Sequence, residues 1–267
     1  MMPRAIAGFR LVTADPDRLV AFYEALGFVA HAPVTIGDDE MALLGLTGAG
    51  RRQPLTLGDS HLALDTFEVP GRPYPPDANA ADLVFQHLAL VTDDAEAAWA
   101  RAISAGATPV SRDGPATLPP SAGGVTAAKF RDPDGHPLEF LQFPPDADTL
   151  WRGSGIIGID HSAISVSDVA ASQQFYRQLG LRSGDTSLNH GPSQVALDGL
   201  DDVRVDVIPM NPAEGPPHIE LLGYRHPVGR PHPPLAANDA AATRVIWHAA
   251  EDALLRDPDG HLHQFSR

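Results

Sequence analysis

RDPDGHPLEF, Arg131–Phe140, returns at the end of the chain as RDPDGHLHQF, Arg256–Phe265. Asp and Gly at these positions suit a tight turn, and the apolar residues after it read as a strand. A turn and strand written twice imply a scaffold built twice. The copies differ most tellingly at one place, where Glu139 of the first becomes Gln264 of the second.

A second repeat lies upstream of each copy. DPDRLVAFYEALGF (Asp15–Phe28) and SDVAASQQFYRQLGL (Ser167–Leu181) share Asp, six residues, Phe-Tyr and then Leu-Gly. Each follows a short apolar run and reads as an amphipathic helix with Asp at the cap and Gly at the stop. A weaker copy starts at His87 and the start of a fourth at Arg244. All four align when anchored on the strand residue seven positions before the cap acid: Gly8, His87, His161 and Arg244. Strand-like runs follow the helices, among them MALLGL, LTLGDSHLALDTF, VTAAKFRD and HPLEFLQF, so each unit reads as βαβββ. The fourth is shortened. His87 to Arg131 spans 44 positions, Arg244 to Arg256 only 12, too few for a helix and its following strand. The expected fold class is α+β: four units in two tandem domains, 1–146 and 154–267, with 147–153 as linker.

Composition narrows the function. The 267 residues are 43% hydrophobic and carry a formal charge of -15, which argues against a phosphate-tracking surface and makes nucleic acid an unexpected partner. No apolar run approaches the roughly 20 residues of a membrane helix, and no secretory signal is visible at the N-terminus, so a cytoplasmic location is expected. There is no Cys, so any metal must be held by His, carboxylate or amide groups. The 12 His residues therefore matter.

The four units, the FY…LGF helix after a cap acid and the DPDGH-x-x-E closure resemble the vicinal oxygen chelate superfamily of glyoxalase I, extradiol dioxygenases and bleomycin-resistance proteins. The resemblance covers nearly the whole chain apart from the shortened unit. It implies cupped mixed sheets, each made by two units, around one divalent transition metal (Zn, Ni, Co, Mn or Fe(II)). First strands typically give His and last strands Glu. The first-strand positions here are Gly8, His87, His161 and Arg244; the last-strand positions are Ala63, Glu139, Glu220 and Gln264. Only the second and third units keep both ligand types. If these two share a cup, it holds His87, Glu139, His161 and Glu220 while the other cup holds none. That crossed pairing is expected here, whereas pairing of neighbours, familiar among the dioxygenases, would leave two half-sites.

Two imidazoles and two carboxylates suit an open-coordinated divalent ion, and the resemblance to glyoxalase members implies Glu139 or Glu220 as the proton-carrying group. A glyoxalase-like lyase or isomerase acting on a small oxygenated substrate is the leading expectation. A metal-free binding or resistance protein and an extradiol ring-cleaving dioxygenase are the alternatives; the last is disfavoured by Arg244 and Gln264 in the C-terminal half. Bland readings stand beside these. Strand alternation could turn Glu139 and Glu220 to solvent. The Phe22-Tyr23 and Phe175-Tyr176 pairs read as core, and His136 and His261 read as solvent-facing turn residues. The missing helix leaves a sheet edge that predicts a homodimer.

Overall fold

The computed structural model describes residues 5–267. The first unit runs β1 (Ile6–Val12), α1 (Pro16–Ala25), β2 (Val29–Ala30), β3 (Val34–Ile36), α2 (Asp38–Leu43), β4 (Gly50–Leu57) and β5 (Ser60–Phe67). The second runs β6 (Gln86–Thr92), α3 (Ala95–Ser104), β7 (Thr108–Pro109), β8 (Ala116–Thr117), β9 (Thr126–Arg131) and β10 (Pro137–Gln142). The third has β11 (Ile156–Ser165), α4 (Val169–Gln178), β12 (Arg182–Ser183), β13 (Ser187–His190), α5 (Pro192–Asp198), β14 (Arg204–Asn211) and β15 (His218–His226). The fourth is three strands without a helix: β16 (Arg244–His248), β17 (Ala253–Arg256) and β18 (Leu262–Ser266).

The cap acids act as the sequence implies, since Asp15, Asp94 and Asp168 each accept a hydrogen bond from a backbone N–H in the first turn of its helix. The expectation of a strand over MALLGL is corrected. Met41–Leu43 end helix α2, which starts with Asp38, Asp39 and Glu40 where acids favour a helix N-terminus, and Gly45 follows it at positive φ. Local helix chemistry outweighs an apolar run too short to declare its own period.

Two mixed sheets result. One has the path β17-β18-β16-β1-β5-β4-β2, and the other β12-β14-β15-β11-β6-β10-β9-β7. The first joins units one and four, and the second joins units two and three. Each half of the chain, 1–146 and 154–267, thus gives one unit to each sheet. Within both sheets the first strands run antiparallel side by side, and each pairs in parallel with the last strand of its own unit.

The repeated motifs meet at the boundary between sheets. Tyr23 of α1 donates to Asp132 at 3.1 Å, and Tyr176 of α4 donates to Asp257 at the same distance, so each Phe-Tyr helix is tied to a DPDG turn of the other sheet. The reading of His136 and His261 as solvent-facing is also corrected: both are 1% exposed. His136 Nδ1 lies 2.7 Å from Asp132 and its Nε2 lies 3.0 Å from the Val12 carbonyl. Burial opposes a proton on His136, but the Asp132 charge and hydrogen bond outweigh it and raise its pKa. The turn is a clasp between two sheets, which is why it appears once in each. Phe22, Tyr23 and Tyr176 are core residues, and Phe175 packs partly buried against them.

Candidate functional site

The ladders fix which residues face one another. In the sheet of units two and three, Ala163 lies opposite His87 and beside Glu220, while Ala89 lies opposite His161 and beside Glu139. In the other sheet, Ile246 lies opposite Gly8 and beside Gln264, while Arg10 lies opposite Arg244 and beside Ala63. The registers are the same. Gly8, His87, His161 and Arg244 are therefore equivalent, as are Ala63, Glu139, Glu220 and Gln264.

His87, Glu139, His161 and Glu220 line one cavity of about 840 Å³ in the cup of units two and three. His87 Nε2 lies 2.6 Å from Glu139, and His161 Nε2 lies 3.4 Å from Glu220 and 3.9 Å from Glu139. His87 is 1% exposed and His161 4%; the Nε2 of each ring makes no well-aligned hydrogen bond and meets a carboxylate instead, while Nδ1 of His87 has no partner. Buried imidazole nitrogens normally find partners. Here they converge with carboxylate oxygens, and the ligand-type atoms of His87, Glu139 and His161 lie within 4.8 Å of one another. That donor set fits a divalent ion. The side chains of Glu139 and Glu220 are 8% and 19% exposed and line the cavity, so strand alternation does not turn them to bulk solvent.

The four groups are electrostatically coupled. Burial disfavours a charged His161, but Glu220 and the hydrogen bond to Asp160 outweigh it and push its pKa up to about 9. Burial would raise Glu220; the His161 charge and His218 instead hold it at about 2. His87 is lowered, because burial there exceeds the pull of Glu139. Glu139 is lowered too, its burial offset by His87 and Lys129.

Two neighbours escaped the sequence reading. Asp160 accepts from His161 Nδ1 at 2.9 Å and from Trp151 Nε1 at 2.7 Å, which orients the imidazole. His218, two residues before Glu220 on one strand face, lies 3.8 Å from Glu220 and 3.8 Å from Asp160. His218 was readable from its spacing to Glu220. Asp160 was not, because an irregularity between Ile159 and His161 turns consecutive residues toward one side.

The equivalent centre in the other cup is filled by charge. Asp65 receives both Nε and Nη2 of Arg52, at 2.7 and 2.8 Å, and also Arg244. Glu40 receives Arg52, Arg10 and, at 2.7 Å, Gln264. Arg244 and Asp65 are fully buried. A Cβ at Gly8 would come within 2.6 Å of the His61 carbonyl, so the first His position cannot accept an imidazole. An ion-pair network stands where the sister cup gathers imidazoles.

Comparison with known proteins gives a consistent frame. The family model described as Glyoxalase/Bleomycin resistance protein/Dioxygenase superfamily matches residues 5–140, just over half of the chain. No curated protein sequence matches. Glyoxalase I from Zea mays superposes with a TM-score of 0.59 at 16% identity, covering 98% of this chain and 91% of that one. A Bacillus subtilis protein named provisionally as a dioxygenase superposes with a TM-score of 0.57 at 13% identity, covering 99% and 85%. At these identities the likeness concerns the fold alone.

Proposed function

The chain belongs to the Glyoxalase/Bleomycin resistance protein/Dioxygenase superfamily, and from that premise we propose that it is a metal-dependent lyase or isomerase of glyoxalase type acting on a small oxygenated molecule. The observation that supports this most is the meeting of two imidazoles and two carboxylates from four strands inside one cavity, where His87, Glu139 and His161 bring ligand-type atoms within 4.8 Å of one another and Glu220 lies 3.4 Å from His161. His87, Glu139, His161 and Glu220 would hold one divalent transition ion. When bound, such an ion polarises adjacent substrate oxygens and stabilises charge that develops on them.

The chain's own groups supply the rest. Asp160 fixes the orientation of His161 through Nδ1, leaving Nε2 for the ion. Glu139 or Glu220 carries the proton between neighbouring substrate carbons as general base and then acid. Leu118, Leu141, Leu197 and Leu222 line the cavity and limit water around the reacting atoms. The dioxygenase reading is weaker, since Arg244 and Gln264 of the C-terminal unit are engaged in the ion-pair network.

Elemental analysis of the purified protein after mild dialysis is expected to give about one equivalent of a divalent transition metal per chain. No uptake on reconstitution would move the metal-free binding reading ahead, and two equivalents would contradict the single cup. A homodimer belongs to the same proposal. The edge strand β17 has no counterpart of the β7 and β8 that flank β9, and its Leu255 is 39% exposed. Light scattering at micromolar concentration should return twice the chain mass; a monomer counts against the pairing.

A further inference from the structure

Beside the proposed metal residues, the cavity wall carries a polar cluster that the site does not use. Lys129 of β9 is the ladder partner of Glu139 and is 3% exposed. Its ammonium donates to Asp198 Oδ1 at 2.6 Å. The other oxygen of Asp198 accepts from Gln194 Nε2 at 2.8 Å and from the Tyr224 hydroxyl at 3.0 Å. An ionised carboxylate only accepts, so this arrangement fixes which end of the Gln194 amide faces it. Gln194 Oε1 is left without a partner although the residue is 3% exposed and lines the cavity. A buried acceptor without a donor is destabilising, and a ligand that donates to it recovers that loss.

The sister cup shows what this position does when it is satisfied. Helices α2 and α5 occupy equivalent places, each following a short strand and a glycine cap, Gly37 or Gly191. The third residue of α2 is Glu40, which turns into its cup and is held by Arg10, Arg52 and Gln264. The third residue of α5 is Gln194. In one cup the helix residue is sealed by the chain's own donors, and in the other its acceptor is left open beside a cavity.

On the reading of that cavity as the substrate site, we infer that Gln194 and Lys129 receive a hydroxyl group of the substrate, distinct from the oxygens that meet the metal. Lys129 has three N–H donors, and the bond to Asp198 uses one. A hydroxyl can donate to Gln194 Oε1 and accept from Lys129 Nζ, so it matches both sides of the Asp198 cluster. Charge narrows the class further. Among the described residues no arginine lines the cavity, its lysine is already paired, and Asp148 and Asp185 add negative charge. The substrate is a neutral molecule with vicinal oxygens and a further hydroxyl.

Kojic acid and allomaltol provide the test. Both are neutral hydroxyketone chelators, and they differ only in a hydroxymethyl or methyl group across the ring from the chelating pair. Zn²⁺ uptake is measured first, then binding of each compound to the Zn²⁺-loaded protein by calorimetry. The parent should bind kojic acid about tenfold more tightly than allomaltol, by the recovery of one buried hydrogen bond. Gln194→Met and Gln194→Leu should bring the ratio near one while leaving allomaltol binding in place, which also reports that the cup is intact. Equal binding by the parent, or a ratio kept by both variants, overturns the inference and leaves the metal site standing. Failure to take up Zn²⁺ overturns the metal reading and this inference together.

Discussion

Glu139→Gln and Glu220→Gln are each expected to lower divalent-metal affinity by at least about 100-fold, measured by competition with a chelator, with circular dichroism unchanged. Gln keeps the size of the side chain but removes the charge and one acceptor. Loss of a residue merely supporting a ligand already costs about 10–100-fold in such sites. Loss of a ligand carboxylate should cost no less. Proton transfer should disappear in whichever variant replaces the catalytic base. Gln264→Glu is the informative contrast. It restores a carboxylate at the equivalent position of the other cup, yet Arg244 occupies the second imidazole position, Ala63 cannot ligate, and Gly8 has no room for a side chain. Metal stoichiometry should stay near one. If both Glu variants hold metal as tightly as the parent, the ligand assignment fails and a binding protein becomes the better reading.

Asp65→Ala should destabilise the fold by about 3–5 kcal/mol in urea unfolding, because it strips a fully buried Arg244 and a largely buried Arg52 of their shared carboxylate. Removing one partner of a buried ion pair costs more than the pair contributes, since the remaining charge is left desolvated. Arg244 cannot escape by losing its proton at neutral pH. The paired change Asp65→Leu with Arg244→Met should recover much of the loss, since it removes one charge of each sign. Arg52 would keep Glu40 as its partner. The metal content of all these variants should match the parent, because the network lies in the other sheet. A loss near zero for Asp65→Ala would mean that this cup is held by packing alone and that its charges are incidental.

These two expectations rest on different kinds of information. The existence of four units, the truncation of the last and the equivalence of the four anchors were legible in the chain. A repeat preserves spacing, and strand and helix starts are marked by local chemistry: Asp caps, Gly stops and DPDG turns. Because side chains alternate along a strand, a correct register assigns every equivalent position at once. That is why His87, Glu139, His161 and Glu220 fall at matching strand positions, while the resemblance to the family is what marks those positions as candidate metal residues. The helix over Asp38–Leu43 was not legible, since six residues carry too little periodicity to override an apolar run. The burial of His136 and His261 was hidden because it depends on turns docking across to the opposite sheet. Asp160 was hidden by a local irregularity that breaks the alternation.

What fills each cup was decided only by the tertiary structure. The sequence states that Gly8, Ala63, Arg244 and Gln264 cannot supply the His and Glu ligand set, but not that Glu40, Asp65 and Arg52 would converge there. Nor does it state that Gln194, equivalent to Glu40, would be left with a free acceptor beside an open cavity. Local sequence determines which residues face the concave side of a strand, through short-range steric and hydrogen-bonding rules. Which of those faces close on one another, and whether the space between them is sealed by ion pairs or left open, depends on contacts between residues far apart in the chain. Arg244 and Asp65, 179 positions apart, meet only because the first unit packs beside the fourth.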